Sequence, residues 1–140
     1  MKFVLDTNVV SEITSLRPAV SVMNWIGAQA KEDLFTTSVT VHEVRYGISL
    51  MPIGRRRQVL EADLEKLLSG YFNGKVMVLD SDAARVSGEV AARGKLTGSQ
   101  IGLGDCMIAG IAIANNASVV TRNVKHFATT GATIVNPWGK

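Results

Sequence analysis

The stretch Lys2-Phe3-Val4-Leu5-Asp6-Thr7-Asn8-Val9-Val10 decides the fold class. Lys2–Leu5 has the length and apolar character of a short buried strand, and Val9–Leu16 can form a helix. Asp6 stands at their junction. The same unit returns further along. Asp33–Thr37 reads as a second strand, followed by a helix from about Val39 to Leu50 that Pro52 stops. Val76–Leu79 reads as a third strand. The helix after it takes Ser81 as N-cap, Asp82 in its first turn and Gly94 just past its end. Pro18, favoured in a first turn, opens another helix through Gln29, with Val22, Trp25 and Ile26 on one face. Gln58–Leu68 is amphipathic, with Leu60, Leu64, Leu67 and Leu68 on one side. Asp105–Asn115 is apolar nearly all round, the mark of a buried helix. Ser118–Thr121 and Thr133–Val135 supply two last strands. Strands alternating with helices predict an α/β fold, a mostly parallel sheet flanked by helices on both faces.

At 140 residues the chain fits one domain, residues 1–140. Its 46% hydrophobic and 19% charged residues mark a globular chain rather than a disordered one. The single cysteine, Cys106, excludes an internal disulfide and a cysteine-based metal site, and its apolar surroundings suit a buried, inert thiol. Asp6 and Glu12 interrupt the N-terminal region before a secretory apolar run can build. The longest apolar run, Cys106 to Ala114, is broken by Gly110 and falls short of the ~20 residues that span a bilayer. A soluble, cytoplasmic protein is expected. A net charge of +3 permits an anionic partner.

Three acids carry the chemistry. Asp6 follows the first strand, Glu43 lies in Ser38-Val39-Thr40-Val41-His42-Glu43 just after the second, and Asp105 opens an apolar helix. In an open α/β sheet the carboxyl ends of the strands share one edge, where ligands bind, so acids distant in sequence can meet there. Clustered carboxylates repel and raise one another's pKa. A hard divalent cation relieves that repulsion, and oxygen donors suit Mg²⁺ or Mn²⁺. Each acid also has a local explanation. Asp6 and Asp105 could be helix N-caps, and Thr40-Val41-His42-Glu43 matches a capping box. Capping does not require convergence, whereas metal binding does.

These residues also carry a resemblance. Asp6-Thr7-Asn8 after a strand resembles the opening motif of the PIN-domain nucleases. Val41-His42-Glu43-Val44-Arg45-Tyr46-Gly47 is similar to their helical E-x-x-x-G motif, and Asp105-Cys106-Met107-Ile108-Ala109 to their D-x-x-I-A motif. Thr121-Arg122-Asn123-Val124-Lys125-His126-Phe127 resembles a T-R-N-x-x-x-F element, and Val135-Asn136-Pro137-Trp138 is typical of the VapC/FitB-like toxin branch. The resemblance covers nearly the whole chain. It implies a single PIN-like domain and an endoribonuclease using Mg²⁺ or Mn²⁺, the toxin of a type II toxin–antitoxin pair. Asp6, Glu43 and Asp105 would bind the metal. Asn123 would stand where many relatives carry a fourth acid, keeping an oxygen ligand without the charge. Thr7 and Thr121 could orient the carboxylates. The resemblance further implies an RNA substrate, a homodimer, and an antitoxin with a DNA-binding N-terminal domain.

Among the basic residues, Arg122 beside Asn123 and Arg85 are candidates for RNA contact. Arg55-Arg56-Arg57 could grip phosphates or form a solvated turn. His42 and His126 could act as acid or base groups near neutral pH, but neither holds a firm motif position, and both are expected at the surface or in packing. Trp25 and Trp138 read as core or interface anchors. Two other readings stay open: a PIN module that binds an antitoxin or RNA without cleaving, and a haloacid-dehalogenase-type phosphatase with Asp6 as nucleophile.

Overall fold

The computed structural model describes residues 1–139. Five strands form one parallel sheet: β1 (Lys2–Leu5), β2 (Leu34–Thr37), β3 (Val76–Met77), β4 (Ala117–Val120) and β5 (Ile134–Val135). Their order is β3-β2-β1-β4-β5, so β1 is central. The α-helices are α1 (Thr7–Ile13), α2 (Val20–Ala28), α3 (Ser38–Ser49), α4 (Arg55–Lys66), α5 (Ser81–Leu96), α6 (Leu103–Ala114) and α7 (Val124–Phe127). A parallel sheet is covered on both faces, which is why its central strands are near-continuous apolar runs.

The alternation of side chains along β1 divides the core. Phe3 and Leu5 pack with Val9 and Val10 of α1, Val22 and Ile26 of α2, Val44 and Ile48 of α3, and Leu64 of α4. Val4 points to the other face, among Ala83 of α5, Ile108, Ala109, Ile111 and Ala112 of α6, and Phe127 of α7. Trp25 stands edge-on to Phe3, ring centres 5.0 Å apart, and serves the core as expected. The tightest helix pair is α5 with α6. Gly110 makes it possible: a Cβ there would lie 2.6 Å from the Ala83 carbonyl oxygen and 2.8 Å from the Ser87 amide nitrogen.

Several boundaries differ from the sequence reading. Pro18 lies outside α2, which begins at Val20 after Ala19; Glu12 Oε2 accepts from the Ala19 amide at 2.7 Å, near the helix start that Ala19 cannot cap with its side chain. α4 starts at Arg55, before Gln58. Asp80, not Ser81, caps α5, accepting from the Ala83 amide at 2.9 Å. Gly94 lies inside α5, where the Ser99 amide folds back onto its carbonyl at 2.7 Å and leaves no room for a Cβ. The short α7, absent from the sequence reading, follows Asn123. Among the described residues no helix is long and apolar enough to cross a membrane.

Candidate active site

β1 lies between β2 and β4, and the chain leaves it in one direction to build β2 and β3, returning on its other side for β4 and β5. Ligand crevices of open α/β sheets form at such a reversal, beyond the carboxyl ends of the strands. A cleft of about 790 Å³ opens there, and Asp6, Thr7, Asn8, Glu43, Asp105 and Asn123 all line it. Val39, Leu79, Leu103 and Met107 form apolar walls.

Asp6 is the deepest of the acids, 3% exposed. Its amide continues the β1–β4 ladder by donating to the Val120 carbonyl at 3.0 Å. Its Oδ1 accepts from the Val9 amide at 3.2 Å, so it does cap α1. Burial raises its pKa from the ordinary carboxylate value to about 6. The Thr121 hydroxyl and the Val9 amide oppose that rise, and the charge of Asp105 adds to it. No cationic side chain pairs with Asp6 among the described residues.

Glu43 reaches the cleft from within α3. The helix starts directly off β2, with Thr37 as its N-cap accepting from the Thr40 amide at 3.0 Å. Thr40 therefore opens no capping box, and Glu43 caps nothing. Its Oε1 accepts from the Thr7 hydroxyl. Facing it on α6 is Gly104, where a Cβ would overlap the Glu43 carboxylate.

Asp105 is in the first turn of α6 but is not its cap; Gly102 holds that position. Nor does it follow a strand, since α6 follows α5. Only Asp6 sits at a true strand-to-helix junction. Asp105 Oδ2 lies 3.1 Å from His126 Nδ1. Burial raises its pKa, His126 opposes the rise, and Glu43 adds to it. His126 is exposed, as expected, and is also a neighbour of the site. Cys106 beside it is buried, with its thiol pKa pushed up by burial and by Asp105, as an inert thiol should be.

Asn123 donates from Nδ2 to Asn8 Oδ1 at 3.1 Å, and its amide donates to Thr121 Oγ1 at 2.9 Å. A chain of contacts thus runs from Asn123 through Thr121 to Asp6. Arg85 is not brought to the cleft; it pairs one turn along α5 with Glu89, at 3.3 Å. Arg57 is likewise occupied, with Met51 and Glu61. Arg122 stands over Trp138 near the site.

The cleft is rich in oxygen donors, among them three carboxylates and two side-chain amides, which fit Mg²⁺ or Mn²⁺. Buried Asp6, without a cation, fits the same reading. As placed, however, no three Asp, Glu, His or Cys side chains among the described residues stand close enough to hold one ion. Glu43 is held by Thr7 and Asp105 by His126.

The sequence matches the PIN domain family over residues 3–132. It is 39% identical to "VapC ribonuclease Y4jK" of Sinorhizobium fredii, over 96% of each chain. It is 31% identical to "Toxin FitB" of Neisseria gonorrhoeae, again over 96% of each. Among solved structures, that of FitAcB from Neisseria gonorrhoeae superposes with a TM-score of 0.89 at 30% identity, covering 97% of this chain and 98% of the other. The family match overturns the phosphatase reading of Asp6.

Proposed function

The chain belongs to the PIN-domain family, and on that premise we propose that it is a Mg²⁺- or Mn²⁺-dependent endoribonuclease, the toxin of a type II toxin–antitoxin pair. The observation that carries this reading is the meeting of Asp6, Glu43, Asp105 and Asn123 in one cleft at the reversal of the sheet. The similarity to a VapC ribonuclease and to the toxin FitB supports it.

In this reading Asp6, Glu43 and Asp105 would hold the metal, and Asn123 would add a neutral oxygen. When bound, the metal supplies an activated water and a counter-charge for the phosphoryl oxygens. Asp6 fixes the floor of the site, because its backbone belongs to the central sheet and its side chain to the start of α1. Thr7 and Thr121 orient Glu43 and Asp6 through their hydroxyls. His126 sets the orientation of Asp105. A carboxylate-positioned water would attack phosphorus in line as the P–O3′ bond breaks, its proton passing to solvent and the 3′ oxygen leaving as a hydroxyl.

The same acidity gives a partner its handle. An arginine or lysine from a small antitoxin with a DNA-binding N-terminal domain would pair with the carboxylates and compete with the metal. A homodimer and a cytoplasmic location belong to this proposal.

Cleavage of single-stranded RNA by the purified protein, with Mg²⁺ or Mn²⁺ and then with EDTA, tests it. Asp6→Asn, Glu43→Gln and Asp105→Asn should each lower the rate, the two aspartate variants by at least about 100-fold, or ~2.7 kcal/mol in the barrier. Undiminished cleavage in EDTA would refute the metal mechanism. Metal-independent RNA binding without cleavage would favour a non-cleaving module, the reading that Asn123 in place of a fourth acid supports.

A further inference from the structure

Next to the cleft lies a groove of about 270 Å³, lined by Thr7, Asn8, Ser11, Glu12, Arg122 and Trp138. Thr7 and Asn8 line the cleft as well, so the two depressions adjoin. Arg122 and Trp138 come from the two strands on that side of the sheet. Arg122 follows the end of β4, and Trp138 follows the end of β5, its amide turned onto Asn136 Oδ1 at 2.9 Å. The indole is half-buried against the core, and the Arg122 guanidinium carbon lies 5.1 Å from its ring centre. Arg122 is exposed and has no carboxylate partner among the described residues. Glu12, the acid of the groove, is turned to the Ala19 amide.

Those features describe a cation held still without being neutralised. An indole face attracts a guanidinium and restricts its rotamers while leaving its N–H edge unsatisfied. That edge matches a phosphate in a bidentate manner. The free face of the guanidinium offers a flat surface on which an unpaired base can stack. We propose that Arg122 and Trp138 form a nucleotide subsite that holds the RNA strand beside the scissile bond, Arg122 gripping a phosphate and Trp138 backing it. The proposal rests on the ribonuclease reading and adds where the strand runs: from the cleft, across Asn8, into this groove.

Trp25 and Trp138 are the two tryptophans, and Trp25 sits against Phe3. In a Trp25→Phe background the fluorescence therefore reports on Trp138 alone. With Asp6→Asn added to suppress cleavage, short single-stranded oligoadenylate should change that fluorescence saturably. Arg122→Ala should weaken the response about tenfold, and Arg122→Lys should restore part of it. In the cleaving protein Arg122→Ala should raise KM about tenfold with a much smaller effect on kcat, a split that a merely structural residue does not give. Oligoadenylate that is cleaved, or bound by anisotropy, with no change at Trp138 would overturn the subsite and leave the ribonuclease reading intact. A saturable response from a wild-type protein that cleaves no RNA would support the subsite and count against the enzyme. No binding of either kind would overturn the subsite.

Discussion

Gly104 and Glu43 face each other across α6 and α3, and the carboxylate occupies the space in which a side chain on Gly104 would stand. The glycine is part of the site although it carries no functional group. Gly104→Ala should keep the fold, because the atom it displaces is the end of a flexible side chain. Better helix propensity should even add up to about 1 kcal/mol. RNA cleavage should nevertheless fall at least about tenfold, since positioning errors of about an ångström are costly to catalysis. Thermal melts and initial rates on the same preparation check both parts; equal activity would remove Gly104 from the site.

Asp6 makes metal-free stability depend on pH. In the unfolded chain it titrates near 3.9, whereas burial holds it near 6 in the fold. Between those values the folded protein keeps a proton that the unfolded chain has lost. Its contribution is therefore fully present below about pH 4 and declines as pH rises to about 6, by up to ~3 kcal/mol. Asp105, also raised by burial, adds to the slope in the same direction. Asp6→Asn keeps a capping side chain and loses the buried charge. At pH 7 without metal it should be more stable than the wild type in urea melts, and Mg²⁺ should stabilise the wild type more than the variant.

His126 opposes the rise of the Asp105 pKa. In His126→Ala a proton should compete better for that carboxylate, and Mn²⁺ affinity should drop about tenfold, as it does when a group orienting a ligand is removed. Calorimetric titration near pH 6 would show it. Tighter binding in the variant would mean that His126 competes with the ion for Asp105.

Gly110 gives the opposite result to Gly104. The atoms that an added Cβ would strike belong mostly to the backbone of α5. Overpacking of this kind costs about 1–3 kcal/mol, more than the ~1 kcal/mol gained from helix propensity. Gly110→Ala should lower the urea midpoint, with the loss read from equilibrium melts.

The layers of the fold were legible because strand and helix periods alternate cleanly, and the buried parallel strands are mostly apolar. Asp6, Thr7, Glu43, Asp105 and Asn123 were legible because each belongs to a short local motif, and all of them line one cleft. The roles of His126, Gly104 and Asn8 were not, although Asn8 and His126 lie within two of those motifs. Their significance lies in partners distant in sequence: His126 with Asp105, Gly104 with Glu43, Asn8 with Asn123. Arg85 shows the converse. Its charge was visible, but its neighbour one turn along the helix, Glu89, offered a nearer partner. Thr40 had the spacing of a cap, but β2 runs straight into α3 and gives that task to Thr37.

The central position of β1 has a consequence for biosynthesis. Its long border with β4 pairs Leu5 with Val120, and Asn8 meets Asn123, contacts spanning more than a hundred residues of sequence. Such distant pairings close slowly, and on the ribosome they must wait until β4 has emerged. Until then Asp6 lacks the Val120 carbonyl and the Thr121 hydroxyl that fix it, and Asn8 lacks its amide partner. A growing chain that already carries Asp6, Glu43 and Asp105 thus has the three acids without the frame that brings them together. The site therefore matures only after β4 and the residues that follow it have been made.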